Sequence, residues 1–155
     1  MIFSYIFCII LQPTICNLIA IGGVTINLLL CLTVMQCFLR QDLFFVMATA
    51  AFFGLLYDLC LSPHIGATAI ALFAVCLAVF FLKDSIRIEN WLSVLLSVVL
   101  ATTLYNVILW GVNRLMGSPW SFEYMLTLLP FYMLYNLTGI ATFYFMFARA
   151  GKAHA

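Results

Sequence analysis

The run from Met1 to Leu39 carries no Asp, Glu, Lys, Arg or His. As one continuous helix it would extend about 58 Å at 1.5 Å per residue, nearly twice the ~30 Å hydrocarbon core of a bilayer. A stretch this apolar belongs in a membrane, and one this long does not fit across it once. It has to cross, turn and return. A turn at Gln12-Pro13 leaves the first half too short to span. The turn is therefore expected at Gly22-Gly23, with Pro13 kinking helix 1.

The remainder keeps the same character. Of the 155 residues 67% are hydrophobic and 7% charged, where soluble domains carry about 25% charged residues. The chain reads as an integral membrane protein. A net charge of +1 offers no basic surface for nucleic acid. Met1-Ile2-Phe3-Ser4 has no positive n-region and no small-residue cleavage pattern follows, so a removed signal peptide is not expected. Six cysteines, Cys8, Cys16, Cys31, Cys37, Cys60 and Cys76, lie in apolar runs without a C-x-x-C pair, which suits small hydrophobes.

The sparse charges divide the chain into predicted helices at 1–21, 24–39, 43–61, 63–82, 91–112 and 119–148, all in one membrane domain. Arg40-Gln41-Asp42 separates helices 2 and 3, and the mixed-charge segment Lys83 to Asn90 separates helices 4 and 5. Ser62-Pro63 and Ser118-Pro119 each read as an N-cap followed by proline in a first helical turn. With the N-terminus in the cytoplasm, the inner segments hold Arg40, Lys83, Arg87, Arg149 and Lys152, and the outer ones only Arg114. That asymmetry predicts an all-α polytopic bundle of about six transmembrane helices, N-in and C-in. The links are short, so function is expected inside the membrane or at its faces.

Asp58 is the one acid within the apolar stretch Phe53–Gly66. A charged group inside a span costs about 3 kcal/mol on insertion scales. Ala50, Gly54 and Asp58 share a helix face, and small residues let helices approach closely in lipid. Asp58 lies near the C-terminal end of helix 3, where the macrodipole disfavours an anion, so it needs donors. Arg114, the cation on the same side of the membrane, is one; His64 and Asn27 lie at a similar level. Three roles stand for Asp58: bracing the turn or reaching water, holding an ion or substrate, and docking a partner. Bracing the helix 3–helix 4 turn is the expected one.

Ala67, Ala71, Ala74 and Ala78 give helix 4 a small-residue stripe. Thr102 with Asn106 and Tyr132 with Asn136 repeat an i, i+4 spacing on helices 5 and 6, and read as interhelical hydrogen bonds of about 0.6–2 kcal/mol each. Glu123 suits the first turns of helix 6, and Pro130 breaks that helix's pattern. His64 reads as a solvent-facing loop residue. No nucleophile elbow, zinc-protease helix or phosphate loop occurs. Two histidines are few for a metal site. Neither enzymatic activity nor a cofactor is expected.

Three places resemble the rod shape-determining protein MreD family of the bacterial inner membrane. Leu11-Gln12-Pro13-Thr14 resembles that family's L-Q segment. Gly54-Leu55-Leu56-Tyr57-Asp58 followed by Gly66 resembles its G-L-x-x-D motif and the short turn after it. Pro130 resembles its last-helix proline. Ile65 stands where leucine is usual, and Thr25-Ile26-Asn27 replaces a proline or acidic opening of helix 2. The resemblance implies a non-enzymatic role in cell-wall elongation and cell shape. The implied partners are MreC, the RodA glycosyltransferase, its penicillin-binding transpeptidase and the MreB cytoskeleton. Gly54, Asp58, Gly66, Arg114, Asn106, Asn136 and Pro130 are the structural or partner-docking candidates. The family also resembles the substrate-binding subunits of energy-coupling-factor transporters, which supplies an alternative. Such a subunit needs a polar pocket beneath its outer loops and usually small-residue spacing in helix 1, which Ile9-Ile10-Leu11-Gln12-Pro13 lacks, whereas a scaffold needs exposed helix faces.

Overall fold

The computed structural model describes residues 2–16, 18, 23–62, 64–83 and 91–152. The chain is an all-α membrane bundle. Its helices are α1 (Ile2–Leu11), α2 (Leu28–Leu39), α3 (Leu43–Leu61), α4 (Ala67–Lys83), α5 (Trp91–Leu115) and α6 (Phe122–Lys152). A π-helical turn, Gln12–Cys16, continues α1.

The centre of the bundle is α2. Every residue from Leu29 to Phe38 is buried, and α1, α3, α4, α5 and α6 all pack on it. A helix that is apolar all round is a buried helix. Its twelve residues reach only about 18 Å, well short of a bilayer. It starts at Leu28 rather than 24 because Asn27 caps it: the side chain accepts from the Leu30 N–H at 3.0 Å. Around this post, Tyr5 of α1 meets the Thr33 hydroxyl at 3.2 Å and stacks on Phe53 of α3 at 4.8 Å between ring centroids. Gly139 brings α6 against α2, where an added Cβ would lie 3.1 Å from Cys31 Sγ.

Among the described residues three helices are long and apolar enough to cross a membrane: Leu43–Leu61, Val94–Leu115 and Phe122–Tyr144. The stretches Ile2–Thr14, Leu28–Leu39 and Ala67–Leu82 are shorter. The six expected helices form, and the starts of two are corrected: α2 begins at Leu28 rather than 24 and α4 at Ala67 rather than 63. Asn27 delays α2, and the segment before Ala67 takes up the length expected at the start of α4.

Both Ser-Pro sites are also corrected, because each serine closes the helix before it. Ser62 donates its N–H to the Asp58 carbonyl at 3.1 Å, ending α3, and α4 opens only after Gly66. Ser118 donates its N–H to the Asn113 carbonyl at 2.9 Å, and Gly117 to Arg114 at 3.1 Å. With Gly117 at φ +88, this pair of bonds is a Schellman closure, and it carries α5 three residues past the expected end at 112. Ser121, not Ser118, caps α6, accepting from the Tyr124 N–H at 3.2 Å. Helix α6 runs through Pro130 without interruption.

By contrast α3 has its expected bounds, opened by Asp42 accepting from the Phe45 N–H at 3.2 Å. Gly23 lies in a turn with φ +81. Gly22, Pro63 and the charged segment at 84–90, Arg87 included, lie outside the described residues, as do 153–155.

Candidate functional site: the α3–α4 joint and a polar cavity

Helix α3 presents Gly54 and Asp58, one turn apart, to the start of α4. Gly54 lets the backbones touch: a Cβ there would lie 2.9 Å from Ala69 Cα and 3.1 Å from Ala69 N. That closeness brings Asp58, fully buried, to the first turn of α4. Its Oδ2 accepts from the Thr68 N–H at 2.8 Å and the Ala69 N–H at 3.4 Å. The first N–H groups of a helix have no partner within it, and they carry its positive dipole end. Asp58 therefore caps α4 from the neighbouring helix. The dipole of α3 disfavours the carboxylate and that of α4 favours it. The other oxygen, Oδ1, is buried with no partner among the described residues. Gly66, at φ +95, makes the reversal between the helices, a conformation that costs a side-chain-bearing residue about 1–2 kcal/mol.

Arg114 is not the partner of Asp58. It is exposed and donates to the Ser118 carbonyl at 3.3 Å, on the α5–α6 turn. The long side chain finds its acceptors locally.

A second polar set joins α2, α5 and α6. Asn136 Oδ1 accepts from the Asn27 N–H at 2.9 Å, and its amide donates to Thr102 Oγ1 at 3.1 Å. This is the interhelical bonding expected of Asn136 and Thr102. Asn106 departs from that expectation: it donates back to the Thr102 carbonyl of its own helix at 2.8 Å and borders open space.

That space is a cavity of about 400 Å³ at the end of the bundle holding the α3–α4 joint and the α5–α6 turn. Five side-chain amides border it: Gln12, Asn27, Asn106, Asn113 and Asn136. So do the hydroxyl residues Tyr57, Thr68, Tyr105 and Tyr132. His64, expected to face solvent, is half-buried at its edge. Leu61, Leu109 and Trp120 add apolar surface, and among the described residues no Asp, Glu, Lys or Arg borders it. A narrower recess of about 50 Å³ leads off between α5 and α6 past Trp110 and Arg114. The Trp110 indole donates to the Trp120 carbonyl at 3.1 Å, pinning that turn.

Thr68 and Tyr105 were not singled out in the sequence, and Gln12 and Tyr57 entered only as members of the segments that carry the resemblance. Each is a polar group in a mostly apolar helical stretch. The available signal is direction: the end of α1, the start of α2, the end of α3, the start of α4 and the end of α5 all meet at one level. The volume lies within the ~300–1,000 Å³ usual for ligand sites, whose walls likewise combine apolar surface with a few polar groups. Pro130 is exposed and takes no part in the cavity.

Among the described residues no three His, Cys, Asp or Glu side chains converge. Cys8, Cys31, Cys37 and Cys76 are buried, Cys37 and Cys76 having their sulfurs 3.5 Å apart, while Cys60 is exposed. Comparison with protein-family models, curated proteins and solved structures finds no match to this chain.

Proposed function

We propose that this chain is a non-enzymatic membrane scaffold of the bacterial cell-wall elongation machinery. It maintains rod shape by holding MreC and supporting peptidoglycan synthesis by RodA and its penicillin-binding transpeptidase partner, in concert with MreB. It is a multi-pass protein of the inner membrane with both termini in the cytoplasm. The observation that carries this reading is the α3–α4 joint. Gly54, Asp58 and Gly66, the residues of the resemblance, form one unit: a close approach, a cap and a reversal. Large apolar side chains face outward along α1 and α3, Phe3, Phe7, Phe44 and Phe52 among them, and offer helix faces to lipid or to a partner span. The described links are too short to build a soluble interface of the usual ~1,600 Å², so partner contact falls on those faces and on the helix ends.

Deleting the gene should round or widen the cells and remove MreC from the elongation complex recovered by co-purification. Normal rods with unchanged co-purification would sink the reading. The topology has its own check. A reporter fused after Ala155 is expected to read as cytoplasmic, because Lys and Arg favour the inner segments five to one. A periplasmic signal would remove the N-in, C-in arrangement.

A second reading is favoured by the cavity: a substrate-binding membrane subunit of the energy-coupling-factor type. A polar pocket beneath the turns is the feature such a subunit requires, and 400 Å³ accommodates a vitamin-sized molecule. Co-purification with a transport ATPase module instead of MreC would decide for it.

A further inference from the structure

We propose that Cys37 and Cys76 are a modification site: a small uncharged hydroperoxide joins them in a disulfide that staples α4 to the central post α2. Neither residue borders the cavity or belongs to the α3–α4 joint, so the proposal stands apart from the functional reading above. Three observations carry it. The two sulfurs lie 3.5 Å apart on different helices, which is van der Waals contact. Cys37 stands nine residues after Leu28, and Cys76 nine after Ala67, so the thiols meet at one level, about 13.5 Å along each helix. Both side chains are fully buried, at 0% exposure, in the apolar core.

Contact and burial together decide what this pair can do. A disulfide holds its sulfurs about 2.05 Å apart, so closure asks for an approach of about 1.5 Å through rotation about the side-chain torsions. A metal fits less well. Two thiolates make half of a tetrahedral zinc site, and among the described residues no third His, Cys, Asp or Glu joins them. Full burial excludes an oxidant as bulky as glutathione disulfide and leaves one the size of hydrogen peroxide. One sulfur attacks a peroxide oxygen: the S–O bond forms, the O–O bond breaks, and the thiol proton leaves with the displaced hydroxide as water. The other sulfur attacks the sulfenic sulfur: the S–S bond forms, the S–O bond breaks, and the second thiol proton leaves with hydroxide as another water. The sulfurs give up an electron pair and the peroxide takes it. No ion is left behind, which suits a core where an uncompensated charge is costly. Contact also lets the second thiol trap the sulfenic acid before it reaches the sulfinic state. The loop so closed contains all of α3 and the α3–α4 joint, and the bond ties that joint to the post.

The test uses the full wild-type chain, purified reduced in detergent, so its main arm needs no variant to fold. The chain is incubated with hydrogen peroxide, unfolded, and labelled with a polyethylene-glycol maleimide that counts thiols on a gel. Six cysteines are present, and the labels at Cys37 and Cys76 are the ones expected to be lost. Proteolysis and mass spectrometry should find the peptides bearing them joined, lighter by two hydrogens, and parted by dithiothreitol. Exposed Cys60 is the internal standard, because its oxidation shows that the peroxide was active. Cys60 oxidised while Cys37 and Cys76 stay reduced would overturn the proposal. So would sulfinic acid on either of them, or a bond from either to another cysteine. Peroxide should also raise the thermal unfolding midpoint of the wild type by about 5–10 °C, as loop closure constrains the unfolded chain, and should not raise that of Cys37→Ala. A joined pair with an unchanged midpoint would overturn the staple.

Discussion

Asp58→Leu is expected to strip most of the folded protein from the membrane, while Asp58→Asn leaves it largely in place. Leucine approximates the volume but removes both acceptors, orphaning the Thr68 and Ala69 N–H groups at the buried start of α4. An unsatisfied buried donor costs about 1–3 kcal/mol, so the pair costs about 3 kcal/mol, a large share of the roughly 5–15 kcal/mol that holds a domain folded. Asparagine keeps one oxygen for Thr68 and loses only the favourable charge–dipole term at the α4 N-terminus, about 1 kcal/mol. Unfolding midpoints of the purified variants and their abundance in membranes check the order. Equal damage from both would mean that the charge itself is needed, and the ligand or docking role of Asp58 would replace the bracing one.

The parts of the fold that the sequence makes legible are those with an unambiguous local cause. The apolar content sets the all-α membrane class, and Asp42 followed by nineteen helical residues gives α3 its bounds. The misread boundaries share a cause too. A serine before proline signals a helix start as readily as a helix stop, and here Ser62 and Ser118 both close the preceding helix with their N–H groups. The Gly117 that follows Met116 is the better signal, since a Schellman closure asks for glycine at that place. Helix α2 hides its role for another reason. Its ten consecutive buried residues look like any apolar span, and only the packing of five helices around them marks the central post.

The joint and the cavity differ in the same way. Gly54, Asp58 and Gly66 lie within thirteen residues, so their relation is local and readable. The cavity draws on residues from Gln12 to Asn136, and no local pattern joins them. Asn106 and Asn136 share the i, i+4 look of interhelical glue and both border the cavity, yet Asn106 bonds back within α5 while Asn136 ties α6 to α2 and α5. The joint also forms part of the cavity's wall. Tyr57 precedes Asp58 and Thr68 is the residue it caps, and both border the open space. Whatever occupies the cavity therefore sits against Tyr57 and Thr68, the chain neighbour of Asp58 and the residue it caps, and a change in the α3–α4 spacing alters the site's shape.

That spacing depends on Gly54, and Gly54→Ala is expected to destabilise the protein by about 1–3 kcal/mol, the usual range for overpacking a tight core. The added methyl would lie 2.9 Å from Ala69 Cα. The obstacle is backbone, so no side-chain rotation relieves it and the helices have to separate. Ala69→Gly should therefore give little rescue, because it deletes a Cβ that is not the clashing atom. Separation also lengthens the 2.8 Å bond from the Thr68 N–H to Asp58, so the two residues act as one unit. Gly54→Ala combined with Asp58→Leu should cost less than the sum of the single changes, by about 0.5–3 kcal/mol, the range found for coupled neighbours. Unfolding midpoints of the two single variants and the double variant close this cycle. Strict additivity would mean that Gly54 and Asp58 stabilise the bundle independently, and that the close approach is not what brings the carboxylate to α4.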